Sequence, residues 1–161
     1  MPEPPGLQPI ALLHSDDDVV VVDKPTGLPV IPAAGEDPQR SLRHLLEVQL
    51  GQRLWVVHRL DRAASGVLLF ARHAEAHRRL SVAFEHRLVS KTYLAITAGA
   101  ISPPEGIIDV PLHAARRGRT RPALPGEPGQ QSTTAYRLVR AWGQGRTGAA
   151  LVEAKPKTGR H

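Results

Sequence analysis

Leu54-Trp55-Val56-Val57-His58-Arg59-Leu60-Asp61-Arg62-Ala63-Ala64-Ser65-Gly66-Val67-Leu68-Leu69-Phe70-Ala71 is the stretch on which the reading of this chain turns. Its ends, residues 54–57 and 67–71, are rich in branched and aromatic side chains and read as buried strands. Between them stand a histidine, two arginines and one acid, followed by a Ser-Gly turn. A carboxylate at the edge of a dry core is costly unless it is paired or used. Asp61 is therefore the residue that needs an explanation.

Working outward, Val19-Val20-Val21-Val22 reads as a short buried strand that leaves through Asp23-Lys24-Pro25-Thr26-Gly27, where proline and glycine force a turn. A polar loop over residues 32–39 leads to a helix over residues 41–49. Its apolar face is Leu42, Leu45, Leu46 and Leu50, spaced as one side of a 3.6-residue repeat. After the central stretch, residues 74–86 read as a second helix. Its inner stripe is Ala76, Leu80, Ala83 and Phe84, and arginines decorate its outer face. Strand patterns follow at residues 93–98, 107–110, 133–141 and 148–154. Residues 113–131 lack periodicity and carry many Arg, Pro and Gly, so they read as one long loop. Residues 1–9 read as a proline-rich lead-in. Successive strands with helices at two points predict an α+β fold: one domain over residues 1–161, a mixed, largely antiparallel sheet and flanking helices.

The 161 residues suffice for a single buried core. The formal charge is +6, and arginine supplies 17 of the 21 basic residues. The planar guanidinium binds phosphate bidentately and stacks on bases, so this excess favours a nucleic-acid partner, although an arginine-rich composition alone would look the same. Aromatic residues are only 4%, which argues against a broad base-stacking platform. There is no cysteine, so disulfides, thiolate nucleophiles and cysteine-held zinc are excluded. No signal-peptide pattern opens the chain, and no apolar run is long enough to span a bilayer. The expectation is a soluble, cytoplasmic monomer with no membrane partner.

His58 to Arg72 resembles the central motif of RluA-type pseudouridine synthases, in which an HRLD segment and a Thr-Ser-Gly turn precede an apolar strand. Three further segments agree in order: Val22-Asp23-Lys24-Pro25-Thr26-Gly27-Leu28 with the lysine-proline-x-glycine motif, Lys91-Thr92-Tyr93-Leu94-Ala95 with the lysine-x-tyrosine strand, and residues 154–161 with the start of the closing Thr-Gly-Arg motif. Four motifs in order are far more specific than any one of them. Two departures stand out. Ala64 replaces the usual threonine, and His161 falls inside the closing motif. The family's last strands and helix, with an aliphatic residue packed beneath the target base, are therefore expected to be missing. No S4-type RNA-binding domain is expected ahead of the catalytic region.

The resemblance implies an isomerase acting on uridine in rRNA or tRNA without a cofactor. Asp61 would be the nucleophile, and the competing reading is a turn acid paired with Arg59 or Arg62. Arg160 would pair with Asp61 and keep it ionised; a terminal arginine in solvent is the alternative. Tyr93 would stack on the target base, or be a core tyrosine with its hydroxyl at the rim. Arg59 would fill the gap left by a flipped nucleotide, or simply pair with Asp61. Lys24 and Gly27 read as shaping the fold, and His58 as a core histidine. Arg116-Arg117-Gly118-Arg119-Thr120-Arg121 is either solvated charge or a set of phosphate contacts. His73 and His77 share a helix face but lack the HExxH spacing and a third ligand, so an exposed polar face is preferred to a metal site. The alternative from another class is an RNA-binding fragment without catalysis.

Overall fold

The computed structural model describes residues 9–114 and 120–158. The proline-rich lead-in up to residue 8, Arg116 to Arg119, and Arg160 lie outside the described residues. The chain forms two compact units, Met1–Leu88 and Val89–His161. In both, every strand pairing is antiparallel, so the parallel component allowed by the α+β expectation is not found among the described residues.

The first unit holds a four-stranded sheet ordered β1-β2-β4-β3, with β1 Leu12–Ser15, β2 Val19–Lys24, β3 Trp55–Val56 and β4 Gly66–Ala71. In β2 the period of two selects the inward face: Val20, Val22 and Lys24 are fully buried. Their partners on β4 are Phe70, Leu68 and Gly66. Helix α1, Leu42–Leu50, lays Leu42 and Leu46 on the same core, joined by Val30 and Leu54. Ser41 caps its start by accepting from the His44 N–H, and Gly51 ends it with φ +65°, a left-handed conformation that glycine adopts without strain. Helix α2, Ala74–Glu85, buries Ala76, while Leu80, Ala83 and Phe84 are half-buried.

Strand β3 is only two residues long, shorter than the apolar run suggests. Beyond Val56 the imidazole of His58 intervenes: its Nε2 accepts the Leu69 N–H at 3.2 Å, and its ring stacks on Phe84 with centroids 4.5 Å apart. A side chain has taken a backbone donor of β4 beyond the β3 pairing, so the main chain is released into the loop over residues 59–65.

The second unit holds a sheet ordered β5-β10-β9-β6 from β5 Tyr93–Ala98, β6 Glu105–Asp109, β9 Thr133–Trp142 and β10 Ala149–Pro156. Ala150 and Val152 are buried, whereas Leu94 and Ile96 are exposed. The expected long loop over residues 113–131 is corrected. It contains parts of a small hairpin, β7 Leu112–Ala114 and β8 Thr120–Pro122. Three-residue strands are too short for a period to show. The hairpin is held instead by a bidentate Arg121–Glu127 pair at 2.7 and 2.8 Å and by the Ala123 N–H donating to Pro111 O. No helix among the described residues is long and apolar enough to cross a membrane.

Candidate active site

The loop that carries Asp61 is built from beneath by Lys24. As the last residue of β2, it continues the buried valine face, and its side chain ends under the loop. Its Nζ donates to the carbonyl oxygens of Pro25 at 3.0 Å, Arg62 at 3.3 Å and Ala64 at 2.7 Å. All three donors of the ammonium are used, which is what makes a fully buried cation tolerable. Burial pushes the ammonium below the usual lysine range, and the negative charge of Asp61 offsets only part of that.

The turn after Lys24 adds two clamps. The Gly27 N–H donates to Arg62 O at 2.7 Å, and the Thr26 hydroxyl donates to Ala63 O at 2.9 Å. Gly27 has φ +82°, a conformation strained for any residue with a β-carbon. A turn bond from the Ala64 N–H to Asp61 O, 3.1 Å, closes the loop on itself. The backbone around Asp61 is thus fixed by the very segment that the sequence marks as Lys-Pro-Thr-Gly.

The side chain of Asp61 is exposed, not held in a dry core. The loop leaves the sheet at His58, so the buried charge here is Lys24, and the acid stands above it. Among the described residues the Asp61 carboxylate has no hydrogen bond and no ion pair, so the turn-acid reading paired to Arg59 or Arg62 does not describe it. Arg62 pairs with Glu36 instead. Arg59 is exposed and has no partner among the described residues. A free, exposed carboxylate on a rigid loop can act as a nucleophile or accept a proton.

Tyr93 opens β5 in the second unit, opposite Ala154 of β10, and its side chain is 36% exposed. Arg160 lies outside the described residues. The two histidines of α2 have structural partners. His73 caps the helix through Nδ1, which accepts the Ala76 N–H, and its Nε2 meets Asp18 at 2.8 Å; His77 Nε2 meets Val56 O at 3.2 Å. No group of three metal-ligating side chains occurs among the described residues. Sequence reading missed Glu36, which lay in a segment read only as a polar loop. Its acid follows a Gly in the run Ala33-Ala34-Gly35-Glu36, a turn signal, but nothing in the sequence ties it to an arginine 26 residues on.

The sequence pattern of the RNA pseudouridylate synthase family matches residues 18–161. An uncharacterized RNA pseudouridine synthase of Zymomonas mobilis is 38% identical over 153 residues, covering 92% of this chain and 67% of the relative. The dual-specificity RNA pseudouridine synthase RluA of Escherichia coli is 34% identical over 157 residues, covering 98% of this chain and 70% of that protein. Other relatives at similar identity are named as a ribosomal large subunit pseudouridine synthase and a tRNA pseudouridine synthase. The solved structure of human RNA pseudouridylate synthase domain containing 4 superposes with a TM-score of 0.71 at 28% identity, over 93% of this chain and 60% of the human one. This chain belongs to the RNA pseudouridine synthase family, and within it to the RluA type. It spans about two thirds of the length of the Zymomonas and Escherichia relatives and under half of the ribosomal large subunit enzyme.

Proposed function

We propose that this chain isomerises uridine to pseudouridine in rRNA or tRNA, with Asp61 as the nucleophile. The observation that carries this reading is the exposed Asp61 carboxylate, without a partner among the described residues, on a loop clamped by Lys24, Thr26 and Gly27. In the reaction the C1′–N1 bond breaks, the uracil turns, and C5 joins C1′. The proton leaves C5 and N1 gains one, so no electrons and no further atoms are exchanged and no cofactor is needed. The carboxylate acts on the ribose, by attack at C1′ or by taking a proton from the sugar, and is released when the new bond forms.

From the sequence resemblance alone, Tyr93 is assigned to stack on the target base and Arg160 to pair with the nucleophile. Arg59 has its guanidinium unclaimed among the described residues and exposed, as insertion into a gap in RNA requires. The charge of +6 supports phosphate binding, with affinity that falls as salt rises. Both RNA classes are kept because the relatives' names include both. The proposal carries with it the expectation of a cytoplasmic monomer.

The test is to incubate the 161-residue chain, without added cofactor, with unmodified rRNA and tRNA transcripts, and to measure pseudouridine in the digested nucleosides. The expected result is conversion at a discrete uridine. Binding of the same transcripts without any conversion would support the alternative, an RNA-binding fragment without catalysis.

A further inference from the structure

Two arginines lie within two residues of Asp61, and neither is bonded to it. The structure shows what draws Arg62 away. Its guanidinium pairs with Glu36, and Glu36 is itself fixed. The Glu36 Oε2 accepts the Ala33 N–H at 3.1 Å, while the Glu36 N–H donates to Ala33 O at 3.0 Å. These bonds and Arg62 hold the Glu36 carboxyl below the usual carboxylate range, so it is ionised whenever Asp61 is needed. The backbone of Arg62 is anchored too, through its carbonyl on Gly27 and Lys24. Both ends of the pair are therefore held, and the guanidinium reaches back across the chain instead of folding onto its neighbour.

An arginine next in sequence to an exposed carboxylate is a ready competitor for an ion pair with it. With one oxygen assigned to the orienting Arg160, a second guanidinium on Asp61 would leave neither oxygen open to the ribose. Resting on the functional reading above, we propose that Glu36 is a positioning residue: it keeps Arg62 off Asp61, so that the acid stays open to the ribose. The charged groups around Asp61 then divide by role. Lys24 lies below and is spent on carbonyls, Arg62 is held by Glu36, and Arg59 is free among the described residues.

Two readouts test this, and one needs neither RNA nor turnover. In the wild-type chain, Asp61→Asn should leave the Arg62 Nε–H resonance unmoved, because the two side chains do not meet. In a Glu36→Gln background the same Asp61→Asn change should move it, because Arg62 has turned to Asp61. Single-turnover release of tritium from [5-³H]uridine in rRNA and tRNA transcripts is the second readout. Glu36→Gln should slow it about fivefold, the most an exposed ion pair is expected to withhold. Glu36→Gln/Arg62→Gln should recover the wild-type rate, which a purely structural role for Glu36 would not allow. An Arg62 resonance blind to Asp61 in the Glu36→Gln background overturns the proposal, as does a Glu36→Gln chain that turns over at the wild-type rate. If the resonance responds but the wild-type chain makes no pseudouridine, the positioning of Arg62 stands and the catalytic reading fails.

Discussion

The ammonium of Lys24 donates to the carbonyl oxygen of Ala64 at 2.7 Å, tying the end of β2 to the turn three residues beyond Asp61. The same group reaches Arg62 O, so a single buried cation spans the loop that presents the acid. Two segments distant in the sequence become one rigid support. The lysine-proline-x-glycine motif and the HRLD motif are thus physically one device.

Replacing Lys24 by Met keeps the buried stem and removes the ammonium, leaving the carbonyls of Pro25 and Ala64 without this donor. Loss of about 2 kcal/mol is expected, since buried acceptors left unsatisfied cost roughly 1–3 kcal/mol each and relief of the buried charge offsets part of that. Urea denaturation checks it: the midpoint should fall with an unchanged slope.

His58→Ala removes the acceptor for the Leu69 N–H and the ring that stacks on Phe84. The expected cost is about 1–3 kcal/mol. Amide exchange distinguishes this from general weakening, because the Leu69 amide should lose protection well before those of Val20 and Val22 in the same sheet.

Asp16 organises the β1–β2 turn, accepting the N–H groups of Asp18 and Val19 at 2.9 and 2.7 Å and meeting His14. The His14 contact, first, and the two backbone donors lower its carboxyl from 3.8 to about 2. A carboxyl depressed in the folded state stabilises above its unfolded value and loses that contribution as pH falls through the folded value. The Asp16 contribution should therefore be complete above 3.8 and vanish by about 2. Comparing acid unfolding of wild type and Asp16→Asn should show the difference between them shrinking across that window.

The elements with enough length for a period to show were legible: β4, α1, α2, β9 and β10 lie where the apolar spacing puts them. Strand β1 carries Leu12-Leu13-His14-Ser15 with all four residues exposed, so it has no alternation to read. Strands β7 and β8 are too short, and Arg121 and Glu127 hold them by chemistry that a hydrophobic pattern does not record. The loop that carries the candidate acid was legible in HRLD, but its exposure was not. The sequence places an acid between two apolar runs and so suggests a buried carboxylate. In the structure His58 ends the strand early, the loop stands clear, and Lys24 takes the buried charge. The tie between Glu36 and Arg62 left no trace in spacing, because a contact across a loop follows no period.

The central claim is that the Asp61 carboxylate does the chemistry while the rest of the loop only presents it. The direct measurement is tritium release from [5-³H]uridine transcripts by wild type and Asp61→Asn, alongside RNA affinity for both. The account predicts release by wild type, none above background by Asp61→Asn, and closely similar affinities. Release by Asp61→Asn at a rate near wild type would contradict it.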